Sequence, residues 1–280
     1  MNNLALGTAQ FGLDYGIANQ NGRVDLNSAI DILELAKNNH IDTLDTSINY
    51  GNSEIFLGGI GVDGFNVVTK TLKFKDNIDY VVDGFHKSME SLNRKNIYGL
   101  LIHSMEDVTK RNFNELFKCL NNLKKKKMIN KIGFSTYTPE DVDFLLENFQ
   151  FDLIQVPLNV FDQRLIEGGQ LERLKNKNIE IHARSAFLQG VLLNLDNLPN
   201  YFLKWKDHFD YFQNSLQGFS PLEASLGFLM NIDVDKIVVG VDNKAQLVEI
   251  INASNKIINL NFKNFSTNDT LLINPTNWEI

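Results

Sequence analysis

Ile41-Asp42-Thr43-Leu44-Asp45-Thr46-Ser47-Ile48-Asn49-Tyr50-Gly51-Asn52-Ser53-Glu54 is the stretch from which the fold can be read. It begins as a short apolar strand, Ile41–Leu44, and runs into a polar turn that opens a helix. A carboxylate, Asp45, stands at the strand's exit, and a phenol, Tyr50, follows in the turn. Alone, a strand-end Asp reads as a helix cap or turn former, and a turn tyrosine as a surface or packing residue. Two later strands change that reading. Phe65–Lys70 is apolar and ends in a lysine, and Tyr98–His103 ends in a histidine. Asp45, Tyr50, Lys70 and His103 thus fall at or just past the ends of three successive strands. In a barrel of parallel strands those ends share one face, the face on which such enzymes place their chemistry.

The same pattern extends in both directions. Further strands are expected at Leu4–Thr8, Lys131–Phe134, Leu153–Val156, Ile179–Ala183 and Lys236–Gly240. Between them lie helical patterns over Ser28–Asn38, from Asn52 to Leu57 (ending at Gly58-Gly59), through Ile78, Val81, Phe85 and Met89, and through Phe113, Leu116, Leu120 and Leu123. Thr138-Pro139-Glu140 and Ser220-Pro221-Leu222-Glu223 combine a cap with a first-turn proline and mark helix starts, and Lys244–Ile251 follows the last strand. Eight strands alternating with helices favour an α/β fold closed as a (β/α)8 TIM barrel. The expected organisation is one domain over residues 1–280, with a long insertion after strand seven (about 188–219) and a C-terminal tail (about 255–280). A doubly wound open sheet is the runner-up, but its Gly-rich phosphate fingerprint is missing after the first strand.

Composition narrows the class. With 280 residues and 43% hydrophobic content, the chain can bury one large core. A net charge of −7 argues against a nucleic-acid partner. Cys119 is the single cysteine, so no internal disulfide can form, and a cytoplasmic location fits. No apolar run approaches the roughly 18 residues of a membrane span. The basic run Lys124–Lys127 closes a helix and offsets its dipole. His40, His86 and His208 show no metal-ligand spacing, so no metal is expected, and His182 reads as a group hydrogen-bonded inside the barrel. Phe11, Tyr15, Trp205, Phe209, Phe212 and Trp278 fall in loops or the tail, where some can wall a substrate pocket. Asp14 and Arg164 read as surface charges.

The four strand-end groups suit one chemistry. A phenol with an ordinary pKa near 10 is a poor proton donor until a neighbouring cation such as Lys70 stabilises its anion. Asp45 would keep Lys70 charged and in place, and His103 would orient a carbonyl oxygen or relay a proton. Such a set protonates a carbonyl oxygen while hydride arrives at carbon, and hydride requires a cofactor.

Leu6-Gly7-Thr8, Asp45 to Glu54, Thr69-Lys70 and Leu101-Ile102-His103 together resemble the aldo-keto reductase superfamily, collinearly from Leu4 to about residue 250. The resemblance implies an eight-stranded barrel that binds NADP(H) or NAD(H) without a Rossmann domain. It also implies a catalytic tetrad of Asp45, Tyr50, Lys70 and His103, with Tyr50 as general acid/base. Ser135 and Gln155 occupy the places that hold the nicotinamide carboxamide, with Thr136 where Asn is usual. Arg184 stands where a ring stacks on the nicotinamide, and a planar guanidinium can take that part. Ser185, Leu188 and Gly190 fall in the expected pyrophosphate loop. Gly240, Asp242, Lys244, Gln246 and Glu249 fall at the adenosine end, where Asp242 disfavours a 2′-phosphate and Lys244 can compensate, so NADP and NAD both remain open. The implied activity is interconversion of a small-molecule aldehyde, ketone or sugar with its alcohol. A cofactor-binding barrel acting as a subunit or sensor is the alternative, and a barrel isomerase or aldolase would want a differently placed base or Schiff-base lysine.

Overall fold

A parallel neighbour needs a connection of about a dozen residues or more, and the helical segments between these short strands supply it. The computed structural model describes residues 3–17, 19 and 21–279. Positions 18 and 20, in the loop after the first strand, and 280, in the tail, lie outside the described residues. Eight strands are present among them: β1 Leu4–Gly7, β2 Thr43–Asp45, β3 Asn66–Lys70, β4 Ile97–Ile102, β5 Ile129–Ser135, β6 Leu153–Pro157, β7 Glu180–Arg184 and β8 Lys236–Gly240. Each pairs in parallel with the next, and β8 returns to β1 with Leu4 opposite Ile237, closing a (β/α)8 TIM barrel.

Local chemistry sets the helix starts. The Asp25 carboxylate accepts from the backbone of Asn27 and Ser28 and begins Leu26–Asn38. Thr138 caps Pro139–Asn148, and Ser220 and Glu223 form a reciprocal capping box on Pro221–Met230. Most expected boundaries move by one to three residues, and two of the shifts bear on the site. The second strand begins at Thr43 rather than Ile41, and it carries Asp45 as its last residue. The helix after the Tyr50 turn runs Ser53–Ile60, through the two glycines expected to end it. Gly58 is there for packing, since a Cβ on it would stand 1.9 Å from the Ser91 carbonyl of the neighbouring helix.

The main core lies between the barrel and its helices. A separate cluster of Val68, Leu101 and Leu153, all buried, fills the barrel's centre, with Tyr98 packed on it. Fully burying one such Val or Leu side chain contributes about 2 kcal/mol. Toward the N-terminal ends of the strands, the interior turns polar. The Tyr98 hydroxyl donates to Glu180 Oε2 (2.7 Å), Lys131 pairs with the same carboxylate, and His182 Nε2 lies 2.6 Å from Glu180 Oε1.

The region after β7 is not a plain polar loop. It forms 3-10 turns at Leu188–Leu193, Leu195–Asn197 and Asn200–Trp205, then the helix Lys206–Asn214. The tail knits onto it. Trp205 Nε1 donates to Asp269 (2.8 Å), Tyr201 OH donates to the Leu271 carbonyl (2.9 Å), and the Trp278 ring stands edge-on to Phe202 with centroids 4.9 Å apart. Phe202, Phe209 and Phe212 are buried in this layer. No helix among the described residues is long and apolar enough to cross a membrane.

Candidate active site

β2 and β3 end at Asp45 and Lys70, and His103 follows directly after β4, so all three groups emerge at the C-terminal mouth of the barrel. Lys70 Nζ donates to both Asp45 oxygens (2.9 and 2.8 Å) and to the Thr46 carbonyl (2.9 Å). Gln155 Nε2 donates to Asp45 Oδ1 at 2.7 Å. Both charges are buried, a burial tolerable only because each is paired and hydrogen-bonded. Below them, Thr8 Oγ1 donates to the Asp45 carbonyl (3.0 Å) and receives Ser53 Oγ (2.8 Å).

Tyr50 is delivered by a tight turn. Its N–H donates to the Ser47 carbonyl at 2.9 Å. The turn lies backbone to backbone against the loop after β1: a Cβ on Gly12 would stand 1.7 Å from the Tyr50 carbonyl, and Gly51, at φ +52°, would meet the Gly12 carbonyl at 2.3 Å. This contact sets the Tyr50 ring 4.9 Å from Lys70 Nζ and edge-on to the His103 ring, with centroids 6.5 Å apart. Asn49 Nδ2 lies 3.1 Å from His103 Nδ1.

Electrostatics assign protonation states. Burial works against the Lys70 charge, yet Asp45 and then Tyr50 outweigh it and hold its pKa above the usual lysine value. Burial pushes the Tyr50 phenol up, and the opposing pull of Lys70 is the smaller effect. This corrects the expectation that Lys70 leaves the phenol with a lowered pKa: the pull exists, but desolvation exceeds it in this site. Burial, reinforced by the Lys70 charge, drops His103 to about 4, so its ring is neutral at pH 7.

A cleft of about 470 Å³ opens above these groups. Asp45, Tyr50, Gln155, Arg184, Ser185, Gly190, Gly240, Asp242, Gln246 and Glu249 all line it. The other five sequence candidates do not line it: Lys70 is buried on Asp45 and His103 lies edge-on to Tyr50. Ser135 is buried at the end of β5, Leu188 is fully buried as a packing residue, and Lys244 is exposed with Nζ 3.9 Å from Asp31 Oδ1. Arg184 Nη2 donates to the Thr136 carbonyl (2.8 Å), and its guanidinium carbon lies 3.9 Å from the Tyr137 ring centroid, so one face is already covered. Tyr137 was not singled out by sequence. Its signal was position alone, directly after Ser135-Thr136. Tyr137 is placed by Arg164, which is not a surface charge: it grips Asp162 with two bonds of 2.8 Å and donates to the Tyr137 carbonyl. Of the loop aromatics, Tyr15 lines the cleft, whereas Phe11, Phe209 and Phe212 are core.

One observation tests whether a nicotinamide cofactor fits. Thr136 Oγ1 is buried without a hydrogen-bond partner, and its N–H donates to the Gln155 carbonyl at 3.0 Å. An unmet buried hydroxyl costs about 1–3 kcal/mol, a cost that a carboxamide arriving there would remove. With Gln155 and Arg184 beside it, the donor set suits such a group.

The fold and site define a (β/α)8 barrel with a buried lysine–carboxylate pair beside a phenol at its C-terminal mouth. The Aldo/keto reductase family profile matches residues 3–272, and the chain belongs to that family. Members are oxidoreductases that generally act on small carbonyl compounds with NAD(P)H. Among solved structures, the holo form of an aldo-keto reductase from Bacillus halodurans superposes with a TM-score of 0.78 at 18% identity, over 95% of this chain and 92% of that one. A protein from Pseudomonas aeruginosa, provisionally given the same family name, superposes at 0.69 and 22%, over 90% and 89%. At these identities the likeness is one of fold. No curated protein matches the chain in sequence.

Proposed function

We propose that the protein interconverts an aldehyde, ketone or sugar carbonyl and the matching alcohol, with Tyr50 exchanging the proton at the carbonyl oxygen. The observation that carries this reading is the convergence of Tyr50, Lys70, Asp45 and His103 on one another, with Tyr50 and Asp45 lining the cleft. When bound, NAD(P)H supplies hydride to the carbonyl carbon. The chain supplies the rest. Tyr50 keeps its proton at neutral pH and donates it to the oxygen as negative charge develops there. Lys70, held charged by Asp45, stabilises the resulting phenolate at a site where water does not screen it. Neutral His103 offers a ring N–H to the same oxygen, with Asn49 engaging its other nitrogen.

Ser135, Thr136 and Gln155 would hold the carboxamide, and Arg184, its other face available, would stack on the ring. Ser185, Gly190 and the Leu188 backbone would flank the pyrophosphate. Gly240, Asp242, Gln246 and Glu249 would meet the adenosine, with Lys244 outside the cleft. The bound small molecule enters past Tyr15, whose phenol lines the cleft and is pushed up to about 12 by burial and by the nearby Tyr50. The test is a panel of aldehydes, ketones and sugars with each reduced cofactor, read as loss of its near-ultraviolet absorbance. Turnover of at least one carbonyl class supports the reading. Cofactor binding without turnover of any of them favours a sensor or subunit instead.

A further inference from the structure

We infer that this chain selects the dinucleotide with a free adenosine 2′-hydroxyl over the 2′-phosphorylated form, and that Asp242 and Glu249 are the residues that discriminate. The inference rests on the hydride chemistry proposed above and deepens it.

One end of the cleft holds Tyr50, Asp45 and Gln155; the same cavity continues to Asp242, Gln246 and Glu249. If the hydride-bearing ring sits against Tyr50, the adenosine of the same molecule must reach the other end. That end is acidic. Asp242 and Glu249 both line it, and Arg184, the one cation among the described lining residues, is tied to the Thr136 carbonyl and the Tyr137 ring. Its charge is felt by Tyr50 and His103, which places it at the catalytic end.

The far end is also built rather than frayed. The Asp242 N–H donates to Gln246 Oε1 (2.8 Å), and Gln246 Nε2 reaches Asp242 Oδ2 (3.3 Å), so the carboxylate is held with acceptor sites to spare. Glu249 stands three residues beyond Gln246 on the same helix, Lys244–Ser254, which brings both to one face. A ribose diol has two O–H donors to give such carboxylates. A 2′-phosphate has only acceptors and near neutrality brings up to two negative charges.

Two features that would rescue a phosphate are turned elsewhere. Lys244 is outside the cleft, half-exposed, with Nζ nearest Asp31. At the start of the same helix, the Gln246 N–H is taken by the Asn243 side chain at 3.0 Å. A carboxylate facing a phosphate across a few ångströms of partly screened space weakens binding about tenfold or more.

The experiment is fluorescence titration of the full chain with NADH and with NADPH. NADH is expected to bind at least about tenfold more tightly, with the gap narrowing as salt screens the repulsion. The double variant Asp242→Asn, Glu249→Gln should gain about tenfold in NADPH affinity with a smaller change for NADH. Lys244→Ala should leave the ratio of the two affinities unchanged. Equal or tighter NADPH binding with NADH still bound overturns this inference alone, as does a loss of NADPH affinity in Lys244→Ala. If neither cofactor binds, the reductase reading itself falls and takes this one with it.

Discussion

The barrel interior holds two clusters of the same composition, one at each end. At the mouth, Lys70 and Asp45 stand with Tyr50 and His103; toward the base, Lys131 and Glu180 stand with Tyr98 and His182. Even the cation–ring geometry repeats, with Nζ 4.9 Å from the Tyr50 centroid above and 5.2 Å from the Tyr98 centroid below. The wiring differs. In the lower cluster Glu180 is the hub: it accepts the Tyr98 proton, pairs with Lys131 and contacts His182, and its pKa falls to about 2 despite burial. In the upper cluster the carboxylate is occupied by Lys70 and Gln155, and no described carboxylate accepts the Tyr50 proton. Tyr50 also faces a cleft, whereas Tyr98 of the lower set packs against the buried Val68, Leu101 and Leu153 that fill the barrel's centre. The same residue types thus make a structural plug at one end and a candidate proton donor at the other, as the two ends of such barrels divide their duties.

Three substitutions or conditions sharpen this contrast. The largest effect is expected for Lys70→Met, which removes the cation that stabilises the phenolate and leaves Asp45 unpaired. Turnover should fall about a thousandfold in steady-state assays, within the range for losing an acid–base partner. Glu180→Gln should do the reverse, costing about 2 kcal/mol in thermal unfolding while the folded enzyme keeps its rate. The sign with pH follows from its lowered pKa. The stabilisation is full above the ordinary Glu value of 4.5 and disappears as pH falls toward 2, so the variant's deficit should shrink over that window. The smallest effect is on the pH profile of carbonyl reduction. His103 is neutral until pH nears 4, and the Tyr50 pKa lies above the usual phenol value, so the rate should stay flat across neutrality. A fall centred on the ordinary histidine value of 6.5 would show that His103 titrates freely.

Much of this was legible in the sequence for a physical reason. Strand-end residues on a parallel barrel need no knowledge of loop conformation to be placed on one face, so Asp45, Lys70 and His103 could be assigned from strand order alone. Tyr50 sits only five residues from Asp45, in a turn whose Gly51 takes a positive φ. What sequence could not convey was long-range geometry. The Tyr137–Arg184 stack and the Arg164 grip on Tyr137 join segments up to 47 residues apart, with no periodicity linking them. The insertion showed no regular element in the sequence because 3-10 turns carry no 3.6-residue pattern, and its buried aromatics pack against Phe161 and the returning tail. The net rise in the Tyr50 pKa likewise depends on how much water the finished site excludes.

The central claim is that the phenol at the mouth gives up its proton while the one at the base holds a carboxylate. It is tested most directly by Tyr50→Phe, with cofactor affinity measured by fluorescence and reduction measured in a single turnover. Unchanged affinity with carbonyl reduction abolished is the result expected. A variant that binds cofactor and still reduces the carbonyl at most of the original rate would contradict it.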